Sequence, residues 1–259
     1  MFLIKIPTSQ GGMDKTGSES APDMVADAVH GFYSSEKGFK HNFIIDEVKI
    51  ASGNLEETND NIFSKADELM GNKCVFVGGD HSVTYPLFKA FAKRHSNPGM
   101  VIFDAHPDCV STFHPPSHED WLRTLVDDGV VKPENIILVA VRNIDETERK
   151  FLAAKKIRVY EAARLRGNVD EACDGIMELA NAFGALYVSV DIDAVDPAHA
   201  PGTGYIEPAG LSARDMVYFI QRLRLLKNFR AADIVEVNPG RDVNNMTVKL
   251  AAKLAVEMW

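Results

Sequence analysis

Eight short runs of β-branched and aromatic residues alternate with amphipathic stretches along the whole chain. Several of these runs are apolar almost throughout, which is typical of strands buried on both faces of a parallel sheet. The predicted strands are residues 2–6, 43–48, 74–77, 100–103, 136–141, 158–160, 186–192 and 232–237. This alternation predicts an α/β fold with a mostly parallel, eight-stranded sheet covered by helices on both faces.

The stretches between the predicted strands have the spacing of amphipathic helices. Helices are predicted at residues 21–33, 56–70, 83–94, 119–128, 146–154, 169–183, 212–226 and about 243–257. No repeat, low-complexity tract or long linker divides the chain, so we predict one domain over residues 1–259. A domain boundary near residues 161–170 is the alternative, although that stretch has the composition of an ordinary surface loop.

The composition excludes several classes of protein. The formal net charge of −9 argues against a general nucleic-acid binder, because such a protein needs a basic face. The cysteines are widely spaced and form no CxxC pair, so neither a disulfide framework nor a zinc knuckle is predicted. No apolar run reaches the roughly 18 residues of a membrane span, and the N-terminus turns polar too soon for a signal peptide. We therefore expect a reducing, cytoplasmic setting.

The segment Asp104-Ala105-His106-Pro107-Asp108 directly follows a predicted strand and holds three side chains that can bind a metal ion. Alternate side chains of a strand point to one face, so this spacing predicts two carboxylates and an imidazole on one side of the strand end. The alternative interpretation is a strand end with a capping Asp and a surface His, and it explains only one of the two carboxylates. Pro107 ends strand pairing, so we expect the triplet where the strand opens into a loop.

Two further segments place groups of the same kind at strand ends. Asp191 and Asp193 follow an apolar strand, and two carboxylates converging there need a cation or a shared proton. Solvated loop carboxylates are the alternative for this pair. His81 lies in the segment Gly-Gly-Asp-His-Ser at residues 78–82, whose paired glycines allow close backbone approach. An ordinary turn with a helix-capping Asp or Ser is the alternative for this segment.

All these segments fall at the carboxyl ends of predicted strands, where ligands gather in open parallel sheets. Together they supply four carboxylates and two imidazoles: His81, Asp104, His106, Asp108, Asp191 and Asp193. Oxygen-rich ligation with some nitrogen and no thiolate favours Mn²⁺ over structural zinc. This set is too large for one catalytic ion with an open position. With bridging carboxylates it suits two ions about 3.5–4 Å apart, which make a nucleophile from water at neutral pH.

Taken together, these motifs resemble those of the ureohydrolase family, which includes arginases, agmatinases and formiminoglutamases. The matching segments are residues 78–82 (GGDHS), 104–108 (DAHPD), 189–197 (SVDIDAVDP), 201–204 (PGTG) and 236–239 (EVNP). Their order and spacing extend the resemblance over nearly the whole chain. The resemblance implies a three-layer α/β/α sandwich around an eight-stranded parallel sheet, and a homotrimer or homohexamer.

The resemblance also implies two manganese ions per chain and a role for each site residue. His81, Asp104, Asp108 and Asp191 would surround one ion, and Asp104, His106, Asp191 and Asp193 the other, with Asp104 and Asp191 bridging. Glu236 would accept paired hydrogen bonds from the substrate's guanidinium, with an ordinary acidic strand end as the alternative. His118 would deliver a proton to the leaving amine. His114 is the other candidate for that role, and a surface imidazole in a Pro-rich loop is the alternative for either.

Several residues depart from the subfamily patterns in ways that concern the substrate. Val110 stands where arginases use an Asn to hold the α-carboxylate, and an apolar residue cannot satisfy a buried carboxylate. Glu119 stands where agmatinases usually continue with Gly after the histidine. Asp145 matches a segment that contacts the substrate's amino group in arginases, with a helix N-cap as an equal alternative. Arg142 is a candidate for binding a substrate carboxylate.

The first functional hypothesis is therefore a binuclear manganese hydrolase that releases urea from a small guanidino compound, with agmatine as the leading substrate. In that reaction Asp108 would help to stabilise the tetrahedral intermediate. The alternatives are an arginase or guanidino-acid hydrolase, hydrolysis of a formimino or acyl amide, and a catalytically silent subunit. All the candidate ligands and Glu236 are present, so the sequence gives no support to the silent alternative.

Overall fold

The computed structural model describes residues 1–13 and 16–258, and its strands form a single sheet. The strands are β1 (Phe2–Lys5), β2 (Ile44–Glu47), β3 (Cys74–Val77), β4 (Pro98–Phe103), β5 (Ile136–Val141), β6 (Arg158–Glu161), β7 (Ala185–Asp191) and β8 (Phe229–Val235). Their order is β2-β1-β3-β8-β7-β4-β5-β6. Every neighbouring pair is parallel, so the prediction of an eight-stranded sheet is confirmed and the sheet is parallel throughout.

Helices cover both faces of this sheet. They are α1 (Ala21–Ala28), α2 (Leu55–Leu69), α3 (Thr84–Arg94), α4 (Trp121–Asp127), α5 (Glu146–Lys155), α6 (Ala162–Leu165), α7 (Val169–Asn181), α8 (Ala213–Leu223) and α9 (Met246–Glu257). In the described part of the chain, no helix combines the length and the apolar character that crossing a membrane requires.

Two hydrophobic cores lie on opposite faces of the sheet because strand residues alternate between the faces. Val75 and Val77 of β3 belong to the core that α1, α7, α8 and α9 cover. Cys74 and Phe76 of the same strand belong to the core under α2, α3, α4 and α5. The result is the predicted three-layer α/β/α sandwich.

The boundaries of some elements differ from the sequence prediction for local reasons. Strand β8 begins at Phe229 and ends at Val235, because Glu236 adopts a positive φ of 62° and leaves the ladder. Helix α9 begins only at Met246, because Asn244 and Asn245 have left-handed backbones that a helix cannot include. Residues 161–170 are more than the expected surface loop. They contain α6, which is held to the core by the buried Leu165.

Candidate metal centre

The predicted ligands come together at the carboxyl ends of the central strands β3, β7 and β4, beside a cavity of about 230 Å³. His81, His106, Asp108, Asp191 and Asp193 line this cavity. Asp104 is 1% exposed and lies against His81 and His106. These six residues, which we call the floor of the cavity, are thus all brought together as the sequence predicted.

The imidazole of His81 is the centre of a buried cluster of carboxylates. Its Nδ1 atom lies 3.1 Å from Asp104 Oδ2, 3.0 Å from Asp108 Oδ2 and 3.4 Å from Asp191 Oδ2. Asp80 also caps the turn after β3 by accepting a hydrogen bond from the Ser82 amide. The capping interpretation of this turn is therefore correct for Asp80, while the adjacent His81 faces the carboxylates.

His106 holds the second cluster. Its Nδ1 atom lies 3.0 Å from Asp193 Oδ2 and 3.6 Å from Asp104 Oδ1. Two groups of potential ligand atoms result, His81/Asp104/Asp191 and Asp104/His106/Asp193, and within each group the atoms lie within 4.8 Å of one another. Asp104 belongs to both groups, which is the arrangement that a bridging carboxylate requires.

The aspartates reach these positions through tight turns beyond the strands. Asp104 Oδ1 accepts from the His106 amide at 2.7 Å, and Asp191 Oδ1 accepts from the Asp193 amide at 2.8 Å. Such i to i+2 bonds are Asx turns. One oxygen of each carboxylate fixes the turn, and the other oxygen, Oδ2, faces His81.

The charges of the floor fit divalent cations. Burial and the neighbouring Asp193 and Asp104 charges raise the pKa of Asp191 well above its usual value. Burial and the Asp104 charge raise the pKa of Asp108 to about 7. Burial opposes charge on Asp104 as well, but the adjacent imidazoles of His106 and His81 lower its pKa. Negative charge is therefore in excess, and cations at the floor would relieve it.

Two buried atoms agree with this conclusion. His81 Nδ1 and Asp104 Oδ2 are fully buried, and no hydrogen bond satisfies either of them in the described structure. Native proteins leave few buried polar atoms unpaired, and those that lack a protein partner often bind an ion or a water molecule. The residues of the floor thus fit a metal centre with carboxylate and imidazole ligands.

A buried relay that the sequence reasoning missed holds the far side of His81. His81 Nε2 lies 2.9 Å from Ser189 Oγ, which donates to Asp233 Oδ1 at 2.6 Å. Asp233 is fully buried and also accepts from the Tyr187 and Thr84 hydroxyls. Because Ser189 gives its proton to Asp233, it accepts from Nε2–H of His81, which leaves the Nδ1 lone pair for a ligand bond. The sequence feature that could have indicated this relay is Asp233, an acidic residue inside the mainly apolar strand β8.

The far side of His106 is more open. Its Nε2 atom lies 3.4 Å from Glu207 Oε1, which also accepts from Asn143 Nδ2 at 2.7 Å. The His106 side chain is 22% exposed, whereas that of His81 is 1% exposed. Glu207 was also missed, because it lies in a loop far along the chain with no strand pattern around it.

Asp108 is held by a partner from α4. Its Oδ2 atom accepts a 2.6 Å hydrogen bond from Trp121 Nε1, and the Trp121 ring lies 4.6 Å from that of His81. Asp108 also has a positive φ of 51°. A left-handed backbone is uncommon for a residue with a side chain, and such conformations are concentrated at functional sites.

His118 and Glu236 form a second functional group on the cavity wall. His118 Nδ1 lies 3.2 Å from Glu236 Oε1, which also accepts from the His81 amide at 2.8 Å. Burial lowers the pKa of His118, but the hydrogen bond and charge of Glu236 outweigh burial and raise it to about 9. The other ring nitrogen of His118 is buried and has no hydrogen-bond partner among the described residues. The contact with Glu236 therefore holds the imidazole through Nδ1.

His114 lies elsewhere. It lines a separate surface groove with Glu56, Tyr85 and Pro116. Of the two histidines in this loop, His118 is therefore the one that lines the metal cavity.

The side chains of Asp145 and Arg142 both form hydrogen bonds with backbone atoms. Asp145 lines the cavity, but its Oδ1 atom accepts from the Thr147 and Glu148 amides and caps α5 in a complete capping box. The Arg142 guanidinium donates to carbonyl oxygens that include those of Asp193 and Glu207. Its donors are thus used within the protein, and binding of a substrate carboxylate by Arg142 is not supported.

The chain matches the model of the arginase family over residues 1–259. An agmatinase of Edwardsiella ictaluri is 32% identical over 82% of this chain and 68% of its own length. A formimidoylglutamase of Halalkalibacterium halodurans is 27% identical over 96% of this chain and 83% of its own. An arginase of Staphylococcus aureus is 30% identical over 87% of this chain and 78% of its own.

The fold is that of solved family members. The crystal structure of formimidoylglutamase from Bacillus subtilis superimposes with a TM-score of 0.93 at 23% identity, over 99% of this chain and 84% of that one. The chain therefore belongs to the arginase family, as the motifs predicted.

Proposed function

We propose that this protein is a binuclear manganese hydrolase that cleaves a small guanidino compound to urea and an amine, with agmatine as the leading substrate. The observation that carries the proposal is the pair of ligand groups sharing Asp104, open to a cavity that also presents His118 and Glu236. The six floor residues would hold two ions. When bound, such ions supply a nucleophile derived from water at neutral pH and a charge that polarises the substrate.

Side chains of the protein would bind the guanidinium, stabilise the intermediate and protonate the leaving amine. Glu236 accepts hydrogen bonds from the planar guanidinium and orients its central carbon towards the floor. Asp108 lines the same cavity and would help to stabilise the tetrahedral intermediate. His118, protonated at neutral pH, donates a proton from Nε2 to the departing amine.

The substrate preference rests on the cavity lining. Val110 lines the cavity, and the motif resemblance matches it to the Asn with which arginases hold the α-carboxylate, which argues against arginine. The agmatinase relative supports the same preference. A cytoplasmic setting and a homotrimeric or homohexameric state remain predictions from the sequence.

Urea release from a panel of substrates tests the proposal. Manganese-loaded protein is incubated with agmatine, arginine, 4-guanidinobutyrate and formiminoglutamate, and urea and formamide are measured separately. We expect urea, with agmatine giving the highest kcat/KM, and no product from the Asp191→Asn variant. The control is Glu134→Gln, which also removes one negative charge but at an exposed residue that does not line the cavity. A preparation that binds manganese stoichiometrically and releases no urea from any member of the panel contradicts the proposal.

A second candidate is hydrolysis of a formimino group, favoured by the similarity to a formimidoylglutamase over 96% of the chain. It predicts formamide instead of urea in the same assay. Its substrate carries carboxylates, and none of the described residues that line the cavity is a lysine or arginine able to pair with them.

A further inference from the structure

The outer part of the cavity is acidic. Besides the floor and Glu236, the cavity is lined by three more carboxylates, Glu119, Asp145 and Glu148. In the described ranges, no lysine or arginine side chain lines it. A negative substrate tail would therefore meet like charges without a partner, which costs free energy, whereas a positive tail would meet attraction.

Two of these three carboxylates are engaged by the protein itself. Asp145 caps α5 through two backbone amides. Glu148 Oε1 accepts from the Cys109 amide at 2.9 Å, and Glu148 Oε2 accepts from the Asp145 amide at 3.2 Å. Both carboxylates therefore fix the start of α5, and much of their hydrogen-bonding capacity is used there.

Glu119 differs from them. Its side chain is 41% exposed, and its Oε1 atom accepts a hydrogen bond, at 3.1 Å, from the hydroxyl of Tyr205. This atom lies 3.9 Å from Nε2 of His118, the nitrogen that would face the leaving amine. A substrate tail that leaves this amine towards solvent therefore passes Glu119.

Tyr205 completes the arrangement. Its ring lies 6.0 Å from that of His118 and 5.4 Å from that of His106, so it forms one side of the route out of the cavity. A carboxylate beside an aromatic ring is a favourable environment for an organic cation. Glu119 and Tyr205 come from different loops, and their hydrogen bond joins the loops across the opening.

We infer that Glu119, positioned by Tyr205, selects guanidino substrates whose tail carries a second positive charge. This inference rests on the proposed function and adds its specificity-determining residue. It also replaces Asp145 as the residue that recognises the tail. Glu119 contacts the substrate tail, whereas Glu236 contacts the guanidinium. Glu119 therefore contributes equally to the binding free energy of the ground state and of the transition state.

A pair of matched substrates tests the inference. Agmatine carries a terminal ammonium, and pentylguanidine has a methyl group in its place. Steady-state kinetics of urea release are measured for the wild type and Glu119→Gln. We expect Glu119→Gln to raise KM for agmatine about fivefold, the effect of a partly exposed ion pair, and any change in kcat to be the same for both substrates. KM for pentylguanidine should change less than about twofold, so the preference for agmatine collapses.

Asp145→Asn is the discriminating variant, because asparagine also caps helices well. It should leave the ratio of kcat/KM for agmatine and pentylguanidine unchanged. Glu134→Gln controls for the change in net charge. Loss of the agmatine preference in Asp145→Asn together with its retention in Glu119→Gln overturns the inference. A wild type that prefers 4-guanidinobutyrate to agmatine also overturns it, while leaving guanidino hydrolysis intact.

A binding measurement keeps the two proposals separate. Manganese-loaded protein is titrated calorimetrically with 1,4-diaminobutane and with butylamine, which differ by one ammonium group. We expect the wild type to bind the diamine more tightly and Glu119→Gln to lose the difference. Equal binding by the wild type overturns the role of Glu119. The expected difference without any urea release would uphold Glu119 as a cation-binding residue and contradict the proposed reaction.

Discussion

The floor of the cavity and its mouth are built in different ways. The mouth comprises Val110, Glu119, Asn143, Asp145 and Tyr205, which lie in loops or at a helix start and are exposed or half-buried. The floor follows from the central strands, and the side chains that hold His81 are themselves buried, as Ser189 and Asp233 are. The mouth is held by contacts between loops, such as the hydrogen bond between Tyr205 and Glu119.

The difference indicates how chemistry and selectivity are separated in this molecule. Ligand atoms that hold ions must stay within fractions of an ångström, and strand ends with buried partners provide that precision. Loops tolerate substitution, so residues of the mouth can change while the floor stays the same. Substitutions at the floor should therefore affect every substrate, and substitutions at the mouth should affect some substrates only.

The largest expected effect is that of Asp104→Asn. Asp104 belongs to both ligand groups, so its loss disrupts both proposed ion positions at once. We expect metal analysis after dialysis to find no stoichiometric manganese, and urea release from every substrate to fall below detection. Val110→Ala at the mouth is the comparison and should retain its manganese. Full metal content in Asp104→Asn would remove the distinction between floor and mouth.

His118→Gln should lower kcat by about 10²–10⁴-fold, the usual contribution of a positioned acid. His118 is buried like the floor residues but lies in a loop like the mouth residues. Its substitution therefore tests whether burial or position in a loop determines the size of the effect. Because no ligand group includes it, manganese content should equal that of the wild type. A kcat within twofold of the wild type would exclude His118 as the proton donor.

The pH dependence of His118 follows from its contact with Glu236. The raised pKa, about 9 against an ordinary 6.5, means that folding favours the protonated form. The resulting stabilisation is fully present below about pH 6.5 and is lost as pH rises through about 9. We expect an NMR titration of the His118 ring to have its midpoint near 9. In Glu236→Gln the midpoint should move down towards the ordinary value.

Asp233→Asn should weaken manganese binding by about 10–100-fold, the effect of removing a partner that orients a ligand histidine. Asp233 contacts no predicted ligand directly and acts through Ser189 on the tautomer of His81. Competition with a chelating dye measures the affinity, and thermal unfolding of metal-free protein measures stability separately. Ser189→Ala should give the same change in affinity. An unchanged affinity in both variants would show that the buried relay is only structural.

The smallest effect is expected for Glu207→Gln. Glu207 contacts His106 in the same way that Ser189 contacts His81, but it does so in a half-exposed place where water can replace the interaction. We expect manganese affinity to change by less than about fivefold, as for an exposed ion pair. An effect as large as that of Asp233→Asn would show that exposure does not distinguish the two histidines.

The six floor residues do lie together, but not through the mechanism that the sequence argument assumed. Alternation along a strand was the argument for Asp104, His106 and Asp108, yet β4 ends at Phe103. The side chains converge through an Asx turn and through the left-handed backbone of Asp108, neither of which periodicity describes. The residue types and their place after a strand were sufficient to identify them.

Features that depend on distant parts of the chain could not be predicted. Asp233 becomes meaningful only when β8 lies beside β7, where its carboxylate meets Ser189. The choice between His114 and His118 depends on the path of one loop, and the choice between Asp145 and Glu119 depends on which carboxylate the backbone engages. Composition and spacing carry no information on either point.

The position of β8 has a consequence for how the protein is made. β8 is the last strand of this sheet along the chain, and it lies between β3 and β7 in the middle of the sheet. Before residues 229–235 leave the ribosome, β2-β1-β3 and β7-β4-β5-β6 have no ladder joining them, and each presents an open edge. His81 belongs to the first part, and Asp104 and Asp191 belong to the second. The ligand group His81/Asp104/Asp191 would therefore be complete only after β8 joins the two parts, and both edges stay open to other strands until then.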